Sequence, residues 1–198
     1  MKNSSIYIIY FLLFISINGC ELFSTRQPQE PDDSSTDFQP ASTHYILFTN
    51  FNNSFNRLNV EYYYDCFLDD SQSSSLIFRF NPDADALARY GILYSSWNKD
   101  SERQFIQGLR SSLAIGVFPI LIWKSKKYDL ITSDSAVFIG EYLIQIKQKD
   151  AENNYSGISR FVFARNSNGL WYIKSWADFR NPTDTLPTWS ILKARFAL

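Results

Sequence analysis

The chain has 198 residues, 45% hydrophobic and 17% aromatic, with 19 basic and 20 acidic side chains for a formal charge of −1. That near-neutral balance gives no electrostatic case for nucleic acid or anionic lipid as a partner. Two cysteines and one histidine supply no Cys/His metal spacing, and neither a metal nor a cofactor is expected.

From the N-terminus, Met1-Lys2 is followed by an apolar run, Ile6 to Ile17. At about twelve residues it is too short for a spanning helix, which needs roughly 20, but it fits the core of a signal peptide. Its end, Ile17-Asn18-Gly19-Cys20, departs from ordinary A-x-A cleavage and resembles the lipobox of bacterial lipoproteins. The resemblance implies a signal peptide over residues 1–19 and an acylated Cys20 as the new N-terminus. It also implies attachment through acyl chains in the bacterial cell envelope, at the outer membrane or periplasmic face. A plain secreted protein with a stray cysteine, or an uncleaved anchor, are the alternatives. Each buried methylene contributes about 0.8 kcal/mol, so two or three chains give lasting attachment where one does not.

Residues 21–41 are rich in Ser, Pro, Gln, Asp and Glu, with Pro28, Pro31 and Pro40 spaced through them. Such a stretch cannot bury enough apolar surface to fold and reads as a disordered tether over 20–41. Residues 42–198, roughly 155 in number, suit one domain. Removal of residues 1–19 takes away only Lys2, moving the formal charge from −1 to about −2. Cys66 is then the one free thiol, so no intramolecular disulfide is possible, and it reads as a small buried apolar residue.

Within the domain, Tyr45, Phe48, Phe51, Asn52 and Phe55 recur at helical spacing. Asn59 is placed to cap a second helix running to about Phe67, packed through Tyr62, Tyr63, Cys66 and Phe67. Leu76 to Phe80 reads as a short strand stopped by Pro82, and Lys99 to Ser111 as a third helix capped by Asn98. Beyond Phe118 the pattern becomes strands. Pro119 to Trp123 leads into a segment from about Tyr128. Ala136 to Gln148 alternates cleanly, with Phe138, Gly140, Tyr142, Ile144 and Ile146 on one face and Val137, Ile139, Glu141 and Leu143 on the other. Asp150 to Asn154 is a polar connection, Ile158 to Arg165 a strand, Asn166 to Gly169 a turn, and Leu170 to Phe179 the last long strand. In that strand Trp171 and Ile173 share a face while Trp176 falls on the other. Either a bulge or sharp bend between Lys174 and Trp176 reconciles them or Trp176 packs on the far side. Short helices and then a long meander imply an α+β fold, with N-terminal helices packed on a curved antiparallel sheet.

This plan, with Phe51, Phe55, Tyr63 and Cys66-Phe67-Leu68-Asp69-Asp70 before a Phe-x-Phe strand, resembles the NTF2-like (SnoaL-like, cystatin-like cone) superfamily. Gly169-Leu170-Trp171-Tyr172-Ile173, Trp176-Ala177-Asp178 and the late Trp189-Ser190-Ile191-Leu192-Lys193 carry the rest of the likeness, which covers about residues 42–198. Bacterial lipoproteins with this plan are among the proteins it resembles. Ser71 to Ser75 departs from the pattern, where an apolar strand usually follows directly.

The resemblance implies a cone that binds a ligand or, in some members, catalyses proton transfer or dehydration with an Asp or His base and a Tyr partner. Ketosteroid isomerase pairs an Asp base with an oxyanion hole in this way. Candidate ligand-binding residues are Tyr63, Glu141, Tyr142, Trp171, Trp176 and Asp178. Tyr62, Tyr63 and Tyr64 cannot all face one direction, because successive helical side chains diverge by about 100°. Glu141 either enters the apolar cavity or faces solvent from the sheet. Asp178 either enters it, caps a turn, or pairs with Arg180 or Arg160. His44 reads as a solvated first-turn residue. No phosphate loop, dinucleotide fingerprint or nucleophile elbow is present. The expectation is a non-catalytic domain that binds a small apolar ligand or, through its open sheet face, an envelope protein. An isomerase or dehydratase is the first alternative, and a structural or assembly role the second.

Overall fold

The structure, a computed structural model, describes residues 38–68, 77–148 and 151–197. All fall within one unit, Thr36–Leu198. The signal peptide, Cys20 and most of the tether lie outside the described residues, as do Asp69, Asp70, Ser71 to Ser75 and Leu76.

Helix α1 (His44–Asn56) starts where the Thr43 hydroxyl accepts the Ile46 N–H. It ends at Arg57, and Leu58 then adopts a left-handed φ of 52°, which turns the chain sharply. Asn59 caps α2 (Val60–Asp65) through the Tyr62 N–H, as its sequence position predicts. The packed face of α1 differs from the expected one at its start. Tyr45 is exposed, whereas His44 and Leu47 are buried beside Phe48, Phe51 and Phe55. Packing also begins earlier than residue 42. Phe38 stacks on Tyr62, Gln39 exchanges two hydrogen bonds with the Asn50 side chain, and the Ala41 carbonyl accepts the Trp171 N–H. The polar composition of the stretch hid this anchoring, which uses backbone groups as much as side chains.

After α2 the chain runs beside the last strand, with Phe67 bridged to Ile173, and continues into β1 (Arg79–Asn81). Two helices follow. The first, α3 (Ala84–Ser95), is capped by Asp83 and is absent from the sequence reading; Ala86, Tyr90, Leu93 and Tyr94 face the core, but exposed Leu87 and Ile92 blur the stripe. The second, α4 (Lys99–Ser112), has the predicted Asn98 cap, closed into a reciprocal box with Ser101. Its Glu102, Phe105, Ile106 and Leu109 are all buried.

A meander then forms from β2 (Ile120–Ile131), β3 (Ser135–Gln148), β4 (Ala151–Arg165) and β5 (Trp171–Phe179). The sheet order is β1-β5-β4-β3-β2, antiparallel except where β1 pairs with β5. Strand β4 begins earlier than expected: residues 151–154 pair with 145–148 of β3 instead of forming a connection. The β4–β5 turn matches its sequence signal, with Gly169 at φ 80° and the Asn166 side chain accepting the Asn168 and Leu170 N–H groups.

A bulge in β5 resolves the Trp176 question. Val162 pairs with Ser175 and Phe163 with Ile173, so Lys174 is the extra residue. Trp171, Ile173, Trp176 and Asp178 consequently all face inward. The inner face of the sheet meets α1, and the remaining space is filled by α5 (Trp189–Phe196), capped by Thr188. Phe51 of α1 contacts Phe161, Trp176 and Trp189 with ring centroids 5.3–5.8 Å apart. Gly140 is required in this core, since a Cβ there would sit 2.7 Å from the Trp123 ring. Trp176 is fully buried among these rings, and Trp176→Ala is expected to cost about 3–5 kcal/mol in urea unfolding.

Candidate functional site

The inner face of the sheet and the helices define a cone, and its interior is where the candidate residues belong. Five of the six lie on the inner side; Glu141 does not. It sits on the outer face, half-exposed, accepting from the Asn181 amide at 2.9 Å and 3.5 Å from the Lys124 ammonium. The β3 alternation places Tyr142 inward and therefore Glu141 outward, which removes it from any cavity.

Two polar clusters occupy the cone. The first centres on Asp178, which is 1% exposed. Its Oδ1 accepts the Tyr142 hydroxyl at 2.8 Å, and its Oδ2 accepts the Ser190 N–H at 2.7 Å and the Ser190 hydroxyl at 2.6 Å. The Tyr142 oxygen in turn accepts the Trp189 N–H at 2.6 Å. Gly157 makes room for this phenol, since a Cβ would lie 2.6 Å from the Tyr142 oxygen. Asp178 and Tyr142 therefore bind the first turn of α5, satisfying backbone donors that every helix start leaves free. Asp83 completes the clasp by accepting the Thr188 hydroxyl, while the Ser190 hydroxyl accepts the Asp83 N–H at 3.0 Å. Asp178 thus caps a turn, but that of the distant helix α5 and from inside the cone, with no arginine partner among the described residues.

The second cluster centres on Glu102 and Lys193, both 0% exposed. Glu102 accepts from the Tyr63 hydroxyl at 2.9 Å, from the Trp97 indole at 2.8 Å, and from the Lys193 ammonium. That ammonium also lies 3.5 Å from the Trp176 ring centroid and 3.6 Å from that of Phe80, a cation–π enclosure. Sequence reasoning missed this pair, although Glu102 in an apolar stripe and Lys193 in an apolar helix were both visible signals.

Burial and the Asp178 charge push the Tyr142 phenol well above its ordinary range, and burial with Glu102 does the same to Tyr63. Both are neutral donors. Burial lowers Lys193 to about 8 while Glu102 pulls it upward. Trp171 lies at the other end of β5, edge-on to His44 at 5.4 Å. His44 is buried there, not solvated as expected; burial lowers its pKa and its Nε2 has no hydrogen-bond partner among the described residues. Trp176 donates to Ser159 at 3.1 Å.

The polar groups of Tyr63, Tyr142, Trp176 and Asp178 are thus used by the protein itself, while the buried Trp189 indole N–H has no hydrogen-bond partner among the described residues. A crevice of about 40 Å³, close to the space of one water, lies between Phe38, Asn50, Asn53, Ser54, Arg57, Asn59 and Tyr62. A shallow groove lies between Asn59–Glu61 and Gln107–Ser111. Neither includes a candidate residue.

Breaking the buried pair leaves a lone charge, so Lys193→Ala should destabilise by about 3–5 kcal/mol in chemical denaturation, with much of that recovered when Glu102→Gln and Lys193→Met are combined. Desolvation raises the Asp178 carboxyl from 3.8 to about 6, against the Ser190 and Tyr142 bonds. With the folded value above the unfolded one, this contribution to stability is complete below about pH 4 and is lost as pH rises through about 6. The stability difference between wild type and Asp178→Asn should therefore fall across that window, by at most about 3 kcal/mol.

No family model matches the sequence. No curated protein matches it either. Among solved structures, the chain is similar to the β subunit of benzoate 1,2-dioxygenase from Burkholderia mallei, with TM-score 0.52 and 10% identity over 70% of this chain and 89% of that one. A β subunit assigned to an aromatic-ring-hydroxylating dioxygenase of Novosphingobium aromaticivorans gives TM-score 0.51 and 16% identity, over 77% and 94%. A protein from Xanthomonas campestris, assigned as a calcium/calmodulin-dependent protein kinase II association domain, gives 0.51 and 15%, over 71% and 86%. At these identities the likeness concerns the fold, and the fold is the α+β cone of NTF2-like, cystatin-like proteins.

Proposed function

We propose that this protein is an acyl-anchored bacterial envelope lipoprotein whose NTF2-like domain binds a protein partner without catalysing a reaction. The observation that carries this reading is the occupied cone. Helix α5 fills the space where a small ligand would sit, and the Asp178 and Tyr142 groups that could serve as base and electrophile instead hold Ser190 and Trp189. Between the two kinds of binding the sequence allowed, this favours the sheet face over the cavity.

That outer face is suited to the role. Phe179, 49% exposed, lies across from Ile158, and Leu130 across from Val137 and Val162 in the adjoining strands. Half-buried apolar rows of this kind are common where one protein meets another. The solved β subunits and the association domain that share the fold are named as parts of larger assemblies, which agrees with such a role. The anchor rests on the Ile17-Asn18-Gly19-Cys20 sequence.

The test follows both halves. Cys20→Ala should abolish incorporation of radiolabelled fatty acid and release the chain from the membrane fraction; continued labelling would remove the anchor. Native mass spectrometry of the wild-type protein should show the acylated chain without a small molecule in the cone. A stoichiometric co-purified ligand would return the reading to the cavity.

A further inference from the structure

From Leu113 to Ile122 the sequence runs Leu-Ala-Ile-Gly-Val-Phe-Pro-Ile-Leu-Ile, ten residues without a polar side chain. In a folded domain such a run is normally interior. Here it joins α4 to the edge strand β2, and much of it faces out. Ile115 is completely exposed, and Phe118, Ile120 and Ile122 are 52%, 47% and 41% exposed.

The local geometry is built, not slack. The Val117 N–H donates to the Ala114 carbonyl at 3.0 Å, and Gly116 has φ 82°, the left-handed conformation a type II turn requires at its third residue. Ile115 is thereby held at the apex of a tight turn. Leu113 packs against the core and Pro119 is buried, which fixes the two ends of the loop.

The segment is also locally basic. Between Glu102 and Asp129 there is no acidic residue, but there are five basic ones: Arg103, Arg110, Lys124, Lys126 and Lys127. Some have acidic partners from elsewhere, Arg103 with Glu61, Lys124 with Glu141 and Lys127 with Asp129. Arg110 is exposed at the end of α4, immediately before the loop. Across the sheet Ile120 pairs with Gln145, and exposed Lys147 lies two residues further along β3, past the start of β2; its own cross-strand partner is Glu152. A near-neutral total conceals this local asymmetry.

We infer that the Ala114–Phe118 turn inserts into the interfacial region of an anionic phospholipid bilayer, with Ile115 and Phe118 among the acyl chains and Arg110 and Lys147 at the phosphates. A projecting apex suits a fluid surface, which accepts a protrusion without a matching pocket. The flanking cations supply the complementarity to anionic headgroups, and their long stems let the charge remain at the water boundary. The acyl-anchor reading enters only in keeping the domain near a membrane.

The test places a nitroxide at Ile115→Cys in the full chain, bound to vesicles of phosphatidylcholine with phosphatidylglycerol. Buried Cys66 is protected from labelling, Cys20 is closed to it when acylated and is replaced by Ser in an unacylated chain, and Ile92→Cys, at a site 93% exposed on α3, serves as the control. The label at position 115 should gain contact with membrane-dissolved oxygen and lose several-fold its contact with an aqueous nickel chelate, while that at position 92 stays aqueous. The change should shrink several-fold in pure phosphatidylcholine. Equal nickel access at both sites would overturn the inference, and so would immobilisation without oxygen contact, the mark of a protein pocket. An equal change in uncharged vesicles would overturn the role of the cations. If the native chain proves unacylated, the anchor reading fails alone, because vesicles in large excess still report on the loop.

Discussion

The burial of one lysine inside an aromatic cone is the constraint around which this structure is arranged. Lys193 lies on a helix that has no solvent-facing side over Trp189–Ala194. An ammonium there is tolerable only if its charge is met on every side, and Glu102 with the Trp176 and Phe80 rings does so. Those contacts dictate others. Glu102 must stand in the first turn of α4, which the Asn98 cap fixes, and Tyr63 and Trp97 must donate to its remaining positions. The ion pair is therefore a device of specificity: it holds α5 in one depth and rotation, which apolar contacts alone would leave looser.

The second cluster performs the same task by different means. Asp178 and Tyr142 come from neighbouring regions of the sheet and meet the start of α5, turning a helix end that needs acceptors into a fixed docking point. In an open cone the same residue types would be poised for proton transfer. Their chemistry here is set by what already occupies their lone pairs, so residue identity and fold together are insufficient to assign a reaction.

The strands, their alternation and the Asn59 and Asn98 caps were legible in the sequence because they depend on local pattern. The Trp171/Trp176 conflict pointed to a bulge or bend between Lys174 and Trp176 as one of two ways to resolve it, and the one-residue insertion at Lys174 is the form it takes. What escaped was governed by distant partners. Helix α3 carries exposed Leu87 and Ile92 beside its packed residues, and these obscured its periodicity. Asp178 and Glu141 are both strand carboxylates among apolar neighbours; the face each one takes, and the helix docked beneath Asp178, separate their roles. Lys193 stands out as a cation among apolar neighbours, but its partner, Glu102, lies 91 residues earlier and only the fold brings them together.

That separation has a consequence for biogenesis. Helix α5 follows every strand of the sheet, so in vectorial synthesis or export the nascent meander emerges while its concave aromatic surface still lacks a cover. Phe51, Phe161 and Trp176 remain available to solvent, neighbouring chains or chaperones until the sequence has delivered Trp189 and beyond. The interval before this late closure is when the polypeptide is most susceptible to aggregation and proteolysis; its length is set by the rate of synthesis and then by the slow formation of long-range contacts, more than by final stability.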